Sequence, residues 1–239
     1  MHRSYSKLTL TTIALVLAMP VTAGAVPSCG GLAATIVGDN RGRHIIGTEG
    51  PDVIVGLGGN DIIDGLGGDD IICGGNGKDS INGGSGNDRI YGGNGNDDLL
   101  GDTGTDEIHG GNGSDVIRGG NDNDRLFGDN GRDSIYGGAH DDELTGGNGN
   151  DLLSGDDGID TLHGGRGRDD LSGGVGADTI YGGSGPDNLH GNEDADSLFG
   201  NAGVDDLDGG SGPDNLNGGA GKDRLNAEAD DVLTGPGDN

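Results

Sequence analysis

Aspartate is the residue type whose spacing in this sequence could do chemistry. From Asp52 to Asp223 an Asp stands at every ninth position without a miss, so twenty carboxylates share one phase. Hard cations such as Ca²⁺ take oxygen ligands of this kind, whereas six His and two Cys supply no series for a softer metal. The spacing predicts metal ligands at Asp52, Asp61, Asp70, Asp79, Asp88, Asp97, Asp106, Asp115, Asp124, Asp133, Asp142, Asp151, Asp160, Asp169, Asp178, Asp187, Asp196, Asp205, Asp214 and Asp223.

Two further positions keep the same period. A Gly stands five residues before each Asp, from Gly47 to Gly218, and an Ile or Leu stands two residues after it, from Ile54 to Leu225. Low-complexity glycine-rich sequence has no reason to hold an Ile or Leu in phase. We therefore number twenty repeats from Gly47, with Gly at position 1, Asp at position 6 and Ile or Leu at position 8.

This pattern predicts the elements that position the carboxylates. Positions 7 to 9 form a three-residue strand with position 8 on the inner face, and positions 1 to 6 form a glycine-rich turn. Two successive repeats, each with one turn and one strand, make one coil. The predicted fold class is all-β, a parallel β-roll or two-sheet β-solenoid of about ten 18-residue coils around a thin Ile and Leu seam.

The composition is typical of a chain that cannot fold by burying apolar side chains alone. Hydrophobic residues are 29% of the chain and the formal net charge is −29, values that also suit plain disorder. The strict repeat argues against disorder if cations neutralise the stacked carboxylates. Positive charge is scarce and scattered, which argues against nucleic acid or an anionic membrane as partner and makes calcium ions the natural partner.

Single copies match a known nonapeptide. Residues 83–91 and 92–100 fit G-G-x-G-x-D-x-U-x, so the chain resembles the RTX, or haemolysin-type, calcium-binding repeats strictly over 47–226 and loosely over 33–234. The resemblance implies that each ion lies between turn n and turn n+2. It also implies that the position-6 Asp of both turns supplies carboxylate oxygen and that positions 1 to 4 supply carbonyls. Two columns of ten turns have nine gaps each, so the ceiling is 18 Ca²⁺.

The N-terminus is predicted to be a secretory signal peptide over residues 1–25. A basic start, a short apolar stretch and Ala23-Gly24-Ala25 place cleavage after Ala25. The alternatives are a membrane anchor, for which the stretch is too short, and a lipoprotein acylated on Cys29, for which Pro27 is unfavourable. Without residues 1–25 the chain carries 11 Lys and Arg against 42 Asp and Glu, a net charge of −31.

The ends of the array depart from its centre. Residues 26–46 are predicted to be an N-terminal arm and metal-free cap, because Arg43 stands where the Asp would be. Residues 47–226 form the roll, and residues 227–239 form a degenerate last repeat and tail. Cys29 and Cys73 suggest a disulfide in an oxidising compartment, the alternative being two unrelated thiols.

No catalytic constellation is visible in the sequence. His109, His163 and His190 occupy position 9 as isolated outward residues, and Tyr181 and Phe199 are the one aromatic pair expected to be neighbours. The sequence therefore predicts a secreted, non-enzymatic calcium-binding protein that folds on binding calcium outside the cell. The alternative is a calcium-dependent adhesion or cell-surface interaction module, whose partner the sequence leaves open.

Position 4 distinguishes the two predicted metal columns. It is Gly in every even-numbered repeat, but the odd-numbered repeats carry Asp122, His140 and Asp194 there. If position 4 needs a positive φ, each replacement strains its turn. The even column is therefore expected to bind calcium more uniformly than the odd one.

Overall fold

The computed structural model describes residues 27–235, and within that range the chain is built of strands and turns. The predicted signal peptide lies outside the described residues. No helix in the described range is both long and apolar enough to cross a membrane.

A short antiparallel hairpin opens the described chain, with β1 (Ser28–Cys29) paired to β2 (Leu32–Ala33). The remaining strands then alternate, in chain order, between two parallel sheets. The 12-stranded sheet contains β3 (Ile36–Val37), β5 (Val53–Gly58), β7 (Ile71–Asn76), β9 (Arg89–Asn94), β11 (Glu107–Gly113), β13 (Arg125–Gly131), β15 (Glu143–Asn148), β17 (Thr161–Arg166), β19 (Thr179–Ser184), β21 (Ser197–Ala202), β23 (Asn215–Asn217) and β25 (Val232–Leu233). The 11-stranded sheet contains β4 (His44–Ile46), β6 (Ile62–Asp64), β8 (Ser80–Ser85), β10 (Asp98–Thr103), β12 (Val116–Asn121), β14 (Ser134–Ala139), β16 (Leu152–Asp157), β18 (Asp170–Val175), β20 (Asn188–Glu193), β22 (Asp206–Ser211) and β24 (Arg224–Asn226).

Neighbouring strands in a sheet are one coil apart. Ile54 pairs with Ile72, and Leu99 pairs with Ile117, so a residue meets the residue at the same place in the next coil. The fold class expected from the repeat, an all-β parallel solenoid of two sheets, is confirmed. It has about eleven turns, because strands β3, β4 and β25 continue the two sheets beyond the strict repeats.

The core is a single seam of position-8 side chains between the two sheets. Ile or Leu at position 8 is at most 2% exposed from Ile54 to Leu216. Ile45 is buried as well, and Ile36 and Leu225 pack partly buried against the ends of the seam. Each coil thus buries two aliphatic side chains, which is little apolar burial for the length of backbone that is ordered.

The strands are longer than expected from the repeat. A typical strand such as β8 runs through positions 7 to 9 and on through positions 1 to 3 of the next repeat, so the turn shrinks to positions 4 to 6. A positive φ at position 2 lets the strand bend without losing the ladder. Glycine adopts it most readily, as Gly75 does with a φ of +111°, but Asp102 and Asp129 adopt it too within strands of full length.

The outer face of the 12-stranded sheet carries two ring stacks, of which only the contact of Tyr181 with Phe199 was expected from the sequence. His109 lies between Tyr91 and Phe127 at centroid distances of 5.3 and 4.6 Å, and Tyr181 stacks on His163 at 4.8 Å as well as on Phe199 at 5.0 Å. Position-9 residues of successive odd repeats are adjacent in one sheet, so rings from neighbouring coils meet face to face. The interpretation of His109 and His163 as isolated residues was wrong.

The predicted disulfide is present. Cys29 in β1 is bonded to Cys73 at position 9 of the third repeat, at a sequence separation of 44. The hairpin therefore lies against the outer face of the first coils of the 12-stranded sheet, where β1 contacts β5 and β7.

Alkylation of the exported protein without reductant should block no thiol, because both cysteines are bonded. Replacing both with serine should lower the free energy of unfolding in saturating calcium by roughly 2–4 kcal/mol, since the bond closes a long loop in the unfolded chain. Intact-mass analysis and thermal unfolding measure the two effects. Two alkylated thiols in the wild-type protein would contradict the bridge.

Candidate metal centre

The position-6 Asp closes each turn just before a strand begins, and the fold buries these carboxylates in two columns. From Asp61 to Asp214 every position-6 Asp is at most 3% exposed, and Asp52 is 8% exposed. Asp223, in the last repeat, is half-buried. Odd-numbered repeats form one column, which we call the odd column, and even-numbered repeats form the even column at the opposite edge of the roll. Burial of an ionised carboxylate is costly unless its charge is compensated.

One oxygen of each carboxylate is used by the protein itself. The backbone N–H of each Asp donates to Oδ1 of the Asp one coil further along, as Asp115 does to Asp133 at 2.8 Å and Asp133 to Asp151 at 2.9 Å. The same bond recurs from Asp52 onward at 2.7–3.1 Å. This ladder orients the side chains identically in every coil.

The second oxygen has no protein donor. Oδ2 is buried and without a hydrogen-bond partner in eighteen of the twenty predicted ligands, namely Asp61, Asp70, Asp79, Asp88, Asp97, Asp106, Asp115, Asp124, Asp133, Asp142, Asp151, Asp160, Asp169, Asp178, Asp187, Asp196, Asp205 and Asp214. Buried polar atoms normally find partners, so a repeated orphan of this kind points to a group that binds there.

Backbone carbonyls of neighbouring coils approach the same space. A Cβ added to Gly83 at position 1 would overlap Oδ2 of Asp88 and would lie 3.1 Å from the carbonyl oxygen of Gly101 in the next coil. At position 4, a Cβ on Gly95 would overlap the carbonyl oxygen of Gly77. Glycine therefore leaves a cradle in which carboxylate and carbonyl oxygens come together.

The donor set suits calcium. No group of three or more His, Cys, Asp or Glu side chains converges anywhere in residues 27–235, so carboxylates alone cannot complete a site there. Calcium accepts this mixture, because it takes six to eight oxygens and readily includes backbone carbonyls. Magnesium suits this donor set less well, because it demands near-ideal octahedral geometry and usually keeps several waters.

Burial raises the pKa of the column carboxylates. Loss of solvent is the main cause that raises the pKa of Asp124 to about 8 and those of Asp106 and Asp133 to about 7, while the ladder hydrogen bond opposes the rise. Neighbouring carboxylates one coil away raise these pKa values further. Without a cation, part of the column carboxylates, with Asp124 foremost, would be protonated near neutral pH.

The odd column ends on protein groups at both termini. Thr48 donates its N–H and its hydroxyl to Oδ2 of Asp52, each at 2.8 Å, and the Thr35 hydroxyl donates to Oδ1 at 3.1 Å. At the far end Asp231 accepts from the N–H of Asp214 at 3.0 Å and from the N–H of Glu228 at 2.6 Å. Asp52 was predicted as a metal ligand, but both of its oxygens already have donors.

Arg43 closes the even column in a related way. Its N–H donates to Oδ1 of Asp61 at 2.6 Å, in the place that an Asp N–H takes elsewhere. Its guanidinium pairs with Asp39, which lowers the pKa of that carboxyl. Thr48 was missed as a capping residue by the sequence analysis, although Thr at position 2 of the first repeat, where Gly is usual, was a visible signal.

Position 4 adopts the left-handed conformation that the sequence suggested in most repeats, although Gly50, Gly149, Gly203 and Gly221 lie outside it. Position-4 glycines in that region have φ from +101° at Gly59 to +159° at Gly158, whereas Asp122, His140 and Asp194 have φ of 75°, 81° and 76°. Side chains thus shift these odd turns away from the glycine geometry.

A family model describes the same repeats. The RTX calcium-binding nonapeptide repeat (4 copies) matches residues 46–81, 74–108, 100–135, 118–153, 154–189, 181–216, 199–232 and 208–239. No curated protein matches the chain.

Asp133→Ala should cost more than Asp52→Ala. Asp133 presents a bare Oδ2 in the middle of a column, and removing it also leaves the Asp115 N–H without its acceptor, a loss of about 1.5–3 kcal/mol. Asp52→Ala should leave the amount of bound calcium nearly unchanged, because both oxygens of that carboxylate already accept hydrogen bonds from Thr48 and Thr35. Elemental analysis of bound calcium and thermal unfolding check both, and equal calcium losses would refute the distinction.

His140→Gly should stabilise the calcium-loaded protein by about 1 kcal/mol, because glycine adopts a positive φ without strain. The matched change in the even column is Gly113→His, which should destabilise it, since Gly113 has a φ of +143° and a Cβ there would overlap the carbonyl oxygen of Gly95. Crystals grown with limiting lanthanide should show weaker sites beside His140. Equal occupancy in both columns would exclude the asymmetry.

The metal-free protein should gain stability as pH falls from about 8 toward 4. The folded columns have raised pKa values, so the folded state binds more protons than the unfolded chain, whose Asp groups titrate near 3.8. The destabilisation caused by ionised column carboxylates is therefore fully present above their pKa in the folded state. It falls as acid protonates them. Far-ultraviolet circular dichroism in chelator measures this, and a β signal that weakens on acidification would contradict it.

Proposed function

Because the chain belongs to the RTX calcium-binding nonapeptide repeat family, we propose that it is a secreted, non-enzymatic protein whose β-roll folds as it binds calcium outside the cell. The observation that carries the proposal is the pair of carboxylate columns with eighteen buried, donorless Oδ2 atoms. A fold that leaves so many acceptors bare is stable only when a cation occupies the space beside them.

Energetics support calcium-dependent folding. Each coil buries two aliphatic side chains, and the buried Asp residues of a column repel one another across successive coils. The formal net charge of −29 adds a general self-repulsion. Bound Ca²⁺ removes these penalties together, so the free energy of binding becomes free energy of folding.

Export is supported by two independent features. Residues 1–25 have the pattern of a secretory signal peptide, and the Cys29–Cys73 bond suits an oxidising compartment. Calcium is scarce in the cytosol and abundant outside, so folding by calcium would be delayed until after export.

A non-enzymatic role is supported by how the histidines are used. His109 is held between two rings, with its nitrogens 3.4 Å from carboxylates of Glu107 and Asp129, and His163 is part of the second ring stack. Both positions are structural uses on an outer sheet face. Nucleophilic catalysis needs a nucleophile, a base and an orienting group together in one cleft. Histidines placed in ring stacks on a sheet face do not meet that need.

The alternative function, calcium-dependent adhesion, is favoured by the unequal outer faces of the roll. The 12-stranded sheet presents both ring stacks outward, together with ion pairs of Arg89 with Glu107 and of Arg125 with Glu143. A surface of this composition can hold a partner while the calcium columns supply rigidity.

A calcium titration tests the proposal. In chelator the mature protein should show mainly a disordered far-ultraviolet spectrum, and calcium should convert it cooperatively to a β spectrum, whereas equimolar magnesium should not. The Asp52→Ala protein serves as a folded control that keeps its calcium sites. A full β spectrum and an unchanged melting temperature in chelator would overturn calcium-dependent folding.

A further inference from the structure

The two long edges of the roll carry opposite charge. We define the even edge as positions 2 to 5 of the even-numbered repeats and the odd edge as the same positions of the odd-numbered repeats. The even edge holds five cations and one acid, namely Lys78, Arg132, Arg166, Arg168, Lys222 and Asp129. The odd edge holds nine acids and no Lys or Arg, namely Glu49, Asp69, Asp102, Asp122, Asp141, Asp156, Asp157, Glu193 and Asp194. In a chain with 13 cations against 42 acids, this segregation makes the even edge an isolated basic strip.

A groove runs along the middle of the even edge. It encloses about 450 Å³ between the position-5 and position-7 side chains of repeats 10 to 16. Arg132 and Arg168 lie at position 5 on either side of Asn150, whose Oδ1 accepts from the backbone N–H of Arg168 at 2.9 Å. Two coils separate the arginines, roughly 10 Å at the usual strand spacing.

Four of the other eight lining residues are aspartates. Asp133, Asp151 and Asp169 are buried carboxylates of the even column, so the groove attracts anions only once calcium offsets them, and Asp170 is the one exposed acid of the lining. Ser134 and Asn188 add hydroxyl and amide groups, and Leu152 adds an apolar patch that is 39% exposed. Neither Arg132 nor Arg168 forms an ion pair with any residue in 27–235. Both guanidinium groups are exposed and available to a ligand.

The odd edge supplies an internal comparison on the same backbone. Its groove, of about 830 Å³, also contains two arginines, but Arg89 lies 3.6 Å from Glu107 and Arg125 lies 3.4 Å from Glu143. Asp69 and Asp141 occupy position 5 there, where the even groove has Arg132 and Arg168. The arginines of the odd groove are thus paired with acids, whereas Arg132 and Arg168 in the even groove have no ion pair within residues 27–235.

From this contrast we propose that the even edge is a binding site for an anionic polysaccharide, with Arg132 and Arg168 contacting successive acidic groups along the sugar chain. Guanidinium groups bind carboxylate and sulfate in a bidentate manner. Ser134, Asn150 and Asn188 then donate to and accept from sugar hydroxyls between the two charges. The inference rests on the folded roll of the proposed function and gives its adhesion alternative a ligand class.

Shape favours a sugar chain over the other anions. The acidic edge of a second copy is itself grooved at the same positions, so two edges would meet groove against groove. Single-stranded nucleic acid is normally held by stacking on aromatic rings, and the rings of this protein lie on the outer sheet face rather than in the groove. A thin, linear polyanion fits both the groove and its charge.

Binding should require calcium. Without it, the net charge of −29 and the buried columns directly behind the groove repel any anion. Calcium neutralises those columns and holds Arg132 and Arg168 at a fixed spacing. Affinity should also fall steeply with added salt, because the attraction is electrostatic.

The test compares fluorescent dextran sulfate and hyaluronan, as sulfated and carboxylated probes, with uncharged dextran. In calcium, the wild-type protein should bind one or both anionic probes and not dextran. Arg132→Gln with Arg168→Gln should weaken binding at least roughly tenfold, the factor expected when a charge-assisted contact is lost. Arg89→Gln with Arg125→Gln removes the same charge from the opposite edge and should leave binding within about twofold.

Calcium-dependent circular dichroism is recorded on all three proteins, so a loss of folding is separated from a loss of binding. Equal weakening by both double variants would overturn the site, as would binding of dextran or no binding by a correctly folded wild-type protein. Stronger binding of a single-stranded oligonucleotide than of either polysaccharide would overturn the ligand class. Salt-sensitive self-association abolished by the Arg132 and Arg168 changes would assign the edge to a second copy instead.

Discussion

The hydrogen bond from each Asp backbone N–H to Oδ1 of the Asp one coil ahead is the interaction on which the rest of the structure depends. It fixes the position-6 side chains in one orientation and leaves the second oxygen of eighteen of the twenty carboxylates as a buried acceptor without a donor. The same bond therefore organises the coil and creates its electrostatic problem. A cation between the turns would supply the charge that these oxygens lack, which is the reason for the proposed coupling of folding to calcium binding.

The ends of the columns show the same constraint resolved without metal. Thr48 and Thr35 saturate Asp52, the Arg43 N–H replaces an Asp N–H in front of Asp61, and the Glu228 N–H completes Asp231. Donors from the protein thus take over where the next turn is missing. At the N-terminal end these contacts and the Cys29–Cys73 bond hold the first coils through protein groups.

The near-perfect repeat also allows two chemically different sides on one backbone. Odd and even repeats alternate along the chain but separate in space, so substitutions confined to one set accumulate on one edge. The position-4 departures at Asp122 and His140 fall on the acidic edge, whereas Arg132 and Arg168 fall on the basic one. The single repeat sets the fold, and the alternation of odd and even repeats sets where each charge appears.

The sequence by itself determined the fold class, the alternation of two sheets, the Ile and Leu seam and the identity of the buried carboxylates. It could do so because a strict period leaves one arrangement in which every position-8 side chain is buried. It also marked Cys29 and Cys73 as partners, since they are the two cysteines of the chain.

Only the tertiary structure decided which carboxylate oxygens lack donors, because that depends on the register between neighbouring coils. The same register placed His109 between Tyr91 and Phe127 and gave Asp52 its two threonine donors. Strand length was misjudged for a related reason, since the glycines at positions 1 and 2 suggest a turn locally but are held in the ladder by neighbouring coils. Contacts between coils are long-range in sequence, so local pattern could not reveal them.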